Sequence, residues 1–244
     1  MPFIKHFFAL LTFTAIFLSS VHAENLTNEA LFARLSALAP SGNAEVKYYL
    51  GMFLNNGIGT ARDNKAAYKY FTEAAESGHE LAAYKVGCYL AGQFPNTVPV
   101  DETEALKFKL RAAEAGYELA QYDVGMRFGK KRDIQNAVLW WERASRQGNL
   151  EATAYLANYF SHPSSPNPDL VKAHALALLL KSMMPEPTKE LLAHITQLET
   201  KLSAEQKVES DAFRAAWPKG KTPLTLKAQT GFNALPALLT SLER

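Results

Sequence analysis

Cysteine is nearly absent: Cys88 is the single one in 244 residues. One cysteine excludes an intramolecular disulfide and a cysteine-based zinc site; among apolar neighbours it reads as a small core residue. Charge of one sign is also missing. Lys and Arg number 26 against 24 Asp and Glu, a net +2. With no basic stripe, a nucleic-acid partner has no electrostatic footing. Catalytic spacings are missing as well. No Ser or Thr precedes a lysine by three positions, and no Ser precedes a glycine by two. Those gaps exclude the Ser-x-x-Lys nucleophile and the nucleophile elbow. His79-Glu80 lacks the second histidine of a metalloprotease helix, and Gly57-Ile58-Gly59 lacks the third glycine of a dinucleotide turn. His79, His162, His174 and His194 form no i, i+4 pair, so neither a metal nor another cofactor is expected. Glu73, Glu76, Glu114 and Glu142 read as a solvated helix face rather than a glycan-cleaving pair. A non-enzyme is expected.

Long apolar runs are confined to the N-terminus. Lys5 is followed by the apolar stretch from Phe7 to Leu18, then by Ser19-Ser20-Val21-His22-Ala23. This order predicts a signal peptide over 1–23, with an uncleaved anchor as the alternative. The run is too short for a membrane span, which needs about 20 residues, so no stable membrane insertion is expected after cleavage. No cysteine follows it, which argues against a lipoprotein anchor. The mature protein is expected in the periplasm or secreted.

What the chain has is repetition. Gly42, Gly78, Gly116 and Gly148 recur at intervals of 36, 38 and 32 residues. Nine positions after each stand Gly51, Gly87, Gly125 and Ala157; six after stand Tyr48, Tyr84, Tyr122 and Ala154. Val46, Ala82, Ala120 and Ala152, then Leu50, Val86, Val124 and Leu156, then Leu54, Leu90, Phe128 and Phe160 fall in steps of four. Steps of four keep one helical face, so these columns predict the buried stripe of a helix A. Glycine inside a helix costs about 1 kcal/mol relative to alanine, which close approach of a partner helix would offset. Asp63, Asp101, Asp133 and Asp169 open a helix B in each copy, and the link glycines are expected to close the first three in the left-handed region.

The Ala-Ala-Glu-x-Gly link, the Tyr-x-x-Gly of helix A, the Asn56–Gly59 loop and the Asp before helix B resemble the Sel-like repeat (SLR), a relative of the tetratricopeptide repeat. The resemblance runs from about Gly42 to Met184 and implies an all-α solenoid of stacked helix pairs. The expected organisation is a capping helix over 24–41, then repeats at 42–77, 78–115, 116–147 and 148–184. Capping helices over 185–217 follow, the second opened by a capping box at Ser203. Residues 218–244 are expected as a loop or mobile tail, ending in an apolar turn or two after Asn233.

The resemblance also implies a role. An exported, non-enzymatic scaffold or adaptor for protein partners, such as cell-envelope machinery, is the first reading. An immunity protein binding a co-encoded secreted toxin is the second. A hydrolase acting on peptidoglycan or β-lactams is the third. In related arrays the A helices line the concave surface. Tyr49, Lys85, Asp123 and Tyr155, with Phe53, Tyr89, Arg127 and Tyr159 one turn on, are therefore the candidate partner-binding residues. Trp140-Trp141 is expected to turn one ring to the core and leave the other as a surface anchor.

Overall fold

The structure, a computed structural model, describes residues 26–218 and 220–242. The leader expected over 1–23 lies outside the described residues. In chain order come α1 (Asn28–Leu38), α2 (Ala44–Asn56), α3 (Asn64–Glu76), α4 (Glu80–Leu90), α5 (Glu102–Glu114), α6 (Glu118–Lys130) and α7 (Ile134–Arg146). Then follow α8 (Leu150–Ser161), α9 (Leu170–Met183), α10 (Lys189–Glu199), α11 (Ala204–Ala216), α12 (Pro223–Thr230) and α13 (Leu235–Leu242). Short 3-10 turns stand at Ala39–Ser41 and Gly231–Ala234, and the described residues hold no strand.

Helices α2/α3, α4/α5, α6/α7 and α8/α9 pair as antiparallel hairpins, and each B helix packs on the next A helix. This is the α-solenoid the repeats imply. The four-step stripe forms its spine: Val46, Ala82, Ala120 and Ala152 are all fully buried, as are Val86, Val124 and Leu156. The helical glycines admit the partner helix. A Cβ at Gly51 would stand 2.7 Å from the Phe71 ring, and one at Gly125 would stand 2.5 Å from the Trp141 ring. Trp141 is thus the ring turned to the core, while Trp140 lies half-buried under the Arg143 guanidinium at 4.5 Å.

The turns follow from local chemistry. Asp63, Asp101, Asp133 and Asp169 each accept a backbone N–H from the first turn of their helix B. Gly78, Gly116 and Gly148 take φ of 90°, 97° and 92°. The N–H of Gly116 reaches Ala113 O, and that of Tyr117 reaches Ala112 O, which closes the helix end in a Schellman arrangement. At the start of the array Thr27 caps α1 by accepting from Ala30 N. At the other end α10 and α11 pack on α9, and Ser203 and Gln206 form the expected capping box.

The tail departs from expectation. Residues 223–230 are helical: the Thr222 side chain caps the first turn by accepting from Thr225 N, and Pro223 pre-sets the first helical φ. The chain leaves α11 at Trp217, whose ring stacks under Arg146 at 4.2 Å, and the Gly220 N–H donates to Arg146 O. It then runs back along the array. Leu235 and Leu239 end fully buried in the core that Leu35, Val46 and Leu50 build at the first helices. We call residues 220–242 the strap.

Candidate protein-binding face

The two candidate columns divide. Tyr49 and Phe53 on α2 are 3 % and 1 % exposed, and the strap helps cover them. The Tyr49 hydroxyl donates to Gly231 O at 3.0 Å, and the Phe232 ring meets Phe53 edge-on at 5.2 Å. In the later copies these columns also turn toward the preceding helix B. Tyr89 is fully buried against Tyr68, Phe71 and Phe94, and its hydroxyl donates to Asn55 Oδ1 at 2.7 Å. Asp123 accepts from Lys109 Nζ at 2.5 Å, and Arg127 pairs with Glu102 at 2.7 Å, both across the seam between α5 and α6. Tyr155 stacks on Trp141 and remains 40 % exposed. Tyr159 lies half-buried beside Phe160, and half-buried Lys85 has its ammonium pKa pulled down by burial.

Tyr49, Phe53 and Tyr89 are therefore covered, not open surface, and Asp123 and Arg127 are held in seam ion pairs. The physical reason is that a helix A in a stacked array meets its own helix B on one side and the preceding one on the other. Helices α5 and α6 run antiparallel, so early Glu102 meets late Arg127 and late Lys109 meets mid-helix Asp123. That opposite-sign register was present in the sequence as a signal for a seam. Beside it lies an open cavity of about 230 Å³, lined in part by Glu102, Lys109, Asp123, Met126, Arg127 and Lys130.

The cluster at the seam is polar and packed. Tyr84 OH donates to Asp123 Oδ2 at 3.3 Å, and Lys109 Nζ lies 5.7 Å from the Tyr84 ring centre. Burial, then the nearby Cys88 and Asp123, push the Tyr84 phenol far above its ordinary range, and burial also raises the Cys88 thiol. A buried protonated thiol is a poor nucleophile. Among the described residues no group of three His, Cys, Asp or Glu side chains could hold a metal.

The residues missed by sequence reasoning belong to the strap and its seat. Helices α2, α4 and α8 are capped by Asn43, His79 and Asn149, whereas Tyr117 gives α6 no side-chain cap. Thr225 of the strap supplies it, accepting from Glu118 N at 3.0 Å. Thr222 donates its hydroxyl to Gly116 O at 2.8 Å, and its N–H donates to Gln147 Oε1 at 2.9 Å. Gln147 Nε2 in turn donates to Gly116 O and Gln121 Oε1. Further along, Lys227 pairs with Glu45, which also accepts from His79 Nε2 at 3.1 Å. His79 Nδ1 accepts from Ala82 N, which leaves the Nε2 proton for Glu45. The signals were the Thr222-Pro223 helix start and the Leu235, Leu238, Leu239, Leu242 stripe.

A family model described as the Sel1 repeat matches residues 44–79, 81–117 and 118–149. The chain carries Sel1 repeats. The three matched units are the pairs α2/α3, α4/α5 and α6/α7. Pair α8/α9 stacks in the same way beyond the Sel1 match, with Ala157 where the other copies have glycine. The Sel1 repeat protein from Oxalobacter formigenes is similar in structure at TM-score 0.61 and 21% identity, over 77% of this chain and 79% of that one. The protective antigen c5321 of uropathogenic Escherichia coli, which displays an SLR fold, aligns at TM-score 0.49 and 18% identity, over 82% of this chain and 51% of that one. The immunity protein Pa5087 of Pseudomonas aeruginosa aligns at TM-score 0.33 and 14% identity, over 84% and 81%. No curated protein matches the chain by sequence.

Proposed function

We propose that this Sel1 repeat protein is an exported, non-enzymatic adaptor that binds a protein partner of the cell envelope along its A-helix face. The observation that carries the reading is that this face already holds a helical segment, the strap. Arrays of this kind present extended surfaces made from successive repeats. The polar clasp at Gly116 and Gln147, the carboxylate of Glu45 and the rings of Tyr49 and Phe53 offer spaced anchors rather than one enclosed pocket. Tyr155 adds an exposed ring on the fourth A helix. Export rests on the leader-like order of Lys5, the apolar stretch and Ala23. Among the described residues no helix is long and apolar enough to cross a membrane.

Two measurements test the reading. N-terminal sequencing of the protein from a periplasmic fraction should begin at Glu24; recovery only with the leader attached and in membranes would remove export. Affinity capture with the full mature chain from an envelope extract, read by mass spectrometry, should return an envelope protein whose yield falls in a Tyr155→Ala, Lys85→Glu variant of unchanged melt. Return of a secreted toxin instead would move the role to immunity, and hydrolysis of nitrocefin or cell-wall sacculi would overturn the non-enzymatic reading.

A further inference from the structure

The strap is held unevenly along its length. Its first turn is locked by the Thr222 and Thr225 hydrogen bonds, and its last helix by the fully buried Leu235 and Leu239. Between those anchors the seating is loose. Thr225 is the only residue of α12 that is buried, Leu226 is 52 % exposed and Phe232 is 36 % exposed. A cavity of about 50 Å³ remains between Lys227, Ala228, Gly231 and Phe232 above and Glu45, Tyr48, Tyr49, Met52 and Leu81 below. Well-packed interiors hold few voids larger than a water molecule, so this contact is not optimised as core. The floor beneath is aromatic and apolar with one carboxylate: Tyr48 stacks on His79 at 4.4 Å, and Glu45 accepts from His79 beside it.

We infer that Pro223–Ala234 is an intramolecular competitor closing the partner site on α2 and α4, and that the partner enters with a segment of the same chemistry. That segment presents a lysine or arginine to Glu45 and, about five residues on, an aromatic ring to Tyr49 and Phe53, as Lys227 and Phe232 do. This rests on the adaptor reading above and names its ligand class. A tethered segment competes as though present at roughly millimolar concentration, so the free face is a minor state until a ligand or a weakened strap exposes it.

The probe is a fluorescein-labelled synthetic peptide of residues 221–234 carrying the natural sequence, titrated by anisotropy into the full chain. A chain with Lys227→Glu and Phe232→Ala, which leaves Leu235 and Leu239 in place, should bind the peptide at least about tenfold more tightly than the natural chain. Adding Glu45→Gln should remove that gain. Equal, absent or Glu45-independent binding by a variant with an unchanged circular dichroism spectrum overturns the inference. Should the variant lose its fold, hydrogen exchange on the natural chain decides. Amides of α12 should exchange faster than those of α2 and α4; equal protection means the strap is core. A concentration-dependent dimer of the natural chain, lost with Phe232→Ala, would assign the site to a second copy's strap and overturn the partner assignment. These outcomes do not depend on capturing a natural partner, so failure here is separable from failure of the adaptor reading.

Discussion

The array and the strap are both helical and both bury leucine, yet they are held in different ways. In the array one arrangement recurs in the first three pairs: a ring or aliphatic stem from helix B seated against a glycine of helix A. Gly51 meets Phe71, Gly87 meets Lys109, and Gly125 meets Trp141. In the strap every contact is used once. Thr222 finds Gly116 and Gln147, Lys227 finds Glu45, and Leu239 finds the core around Leu35. Repeat arrays contact only their neighbours, so their stability is close to a sum over adjacent units. The strap breaks that rule, because its anchors tie α6 and α7 to α1 and α2 across the unit between. Redundant contacts hold the array together, whereas single-use contacts hold the strap to it.

The largest expected effect separates the two. Trp141→Ala empties the space beside Gly125 and Ala137 in the array and should cost about 3–5 kcal/mol by urea denaturation. Spectroscopic probes at either end of the chain should report the loss together. Leu239→Ala in the strap should behave otherwise. Once α13 peels away no further loss accrues, so the global cost should stay under about 3 kcal/mol. Its signature is local: amides of α13 gain exchange while those of α8 and α9 do not. A uniform loss of protection after Leu239→Ala would mean that strap and array are one cooperative unit.

The same contrast explains what could be read in advance. The stripe at Val46, Ala82, Ala120 and Ala152 was legible because each copy checks the others, and the link glycines fall where helix ends require left-handed backbone. The candidate site was legible only in part. Tyr49 and Phe53 lie on the expected face, but nothing in their own helix announces that residues some 180 positions later cover them. Asp123 and Arg127 varied in charge between copies and so resembled surface. Their partners, Lys109 and Glu102, sit on the preceding helix, where complementarity shows only once the antiparallel register is drawn. Tyr117 stood at a capping position without a capping side chain, and that local defect was the clearest hint that a hydroxyl arrives from elsewhere.

A smaller effect sharpens the comparison at that defect. Thr225→Ala leaves Glu118 N–H without its acceptor, and Asn149→Ala does the same for Ala152 N–H in α8. Each should cost about 1 kcal/mol, the ordinary worth of a cap. The two should differ in range. Asn149→Ala loosens only the start of α8, whereas Thr225→Ala also removes one of the two strap hydroxyls that donate to Gly116 O and so loosens the strap's first turn. Two-dimensional NMR shifts confined to α6 after Thr225→Ala, with none in α12, would show that the cap and the strap are not coupled.

The smallest effect concerns the ion pair in the middle of the strap. Burial alone would raise the Glu45 carboxyl, but hydrogen bonds from His79 and Lys227 outweigh it and hold the group below its ordinary 4.5. A carboxyl depressed in the folded state contributes stability that is present above its unfolded value and lost as pH falls through its folded value. The Lys227 contact should therefore stabilise the strap at pH 6 and fade below about pH 4.5. Lys227→Met should lower the melting temperature slightly at pH 6, and the two melts should converge near pH 3. Because the Lys227 side chain is 44 % exposed, solvent screens the pair and the difference should stay within about 1 kcal/mol. His79, Tyr48 and Tyr49 also face Glu45, so Glu45→Gln is the necessary control: in that background the Lys227→Met difference should no longer vary with pH. A difference that persists unchanged at pH 3 would assign Lys227's role to its apolar stem packing over the array rather than to its charge.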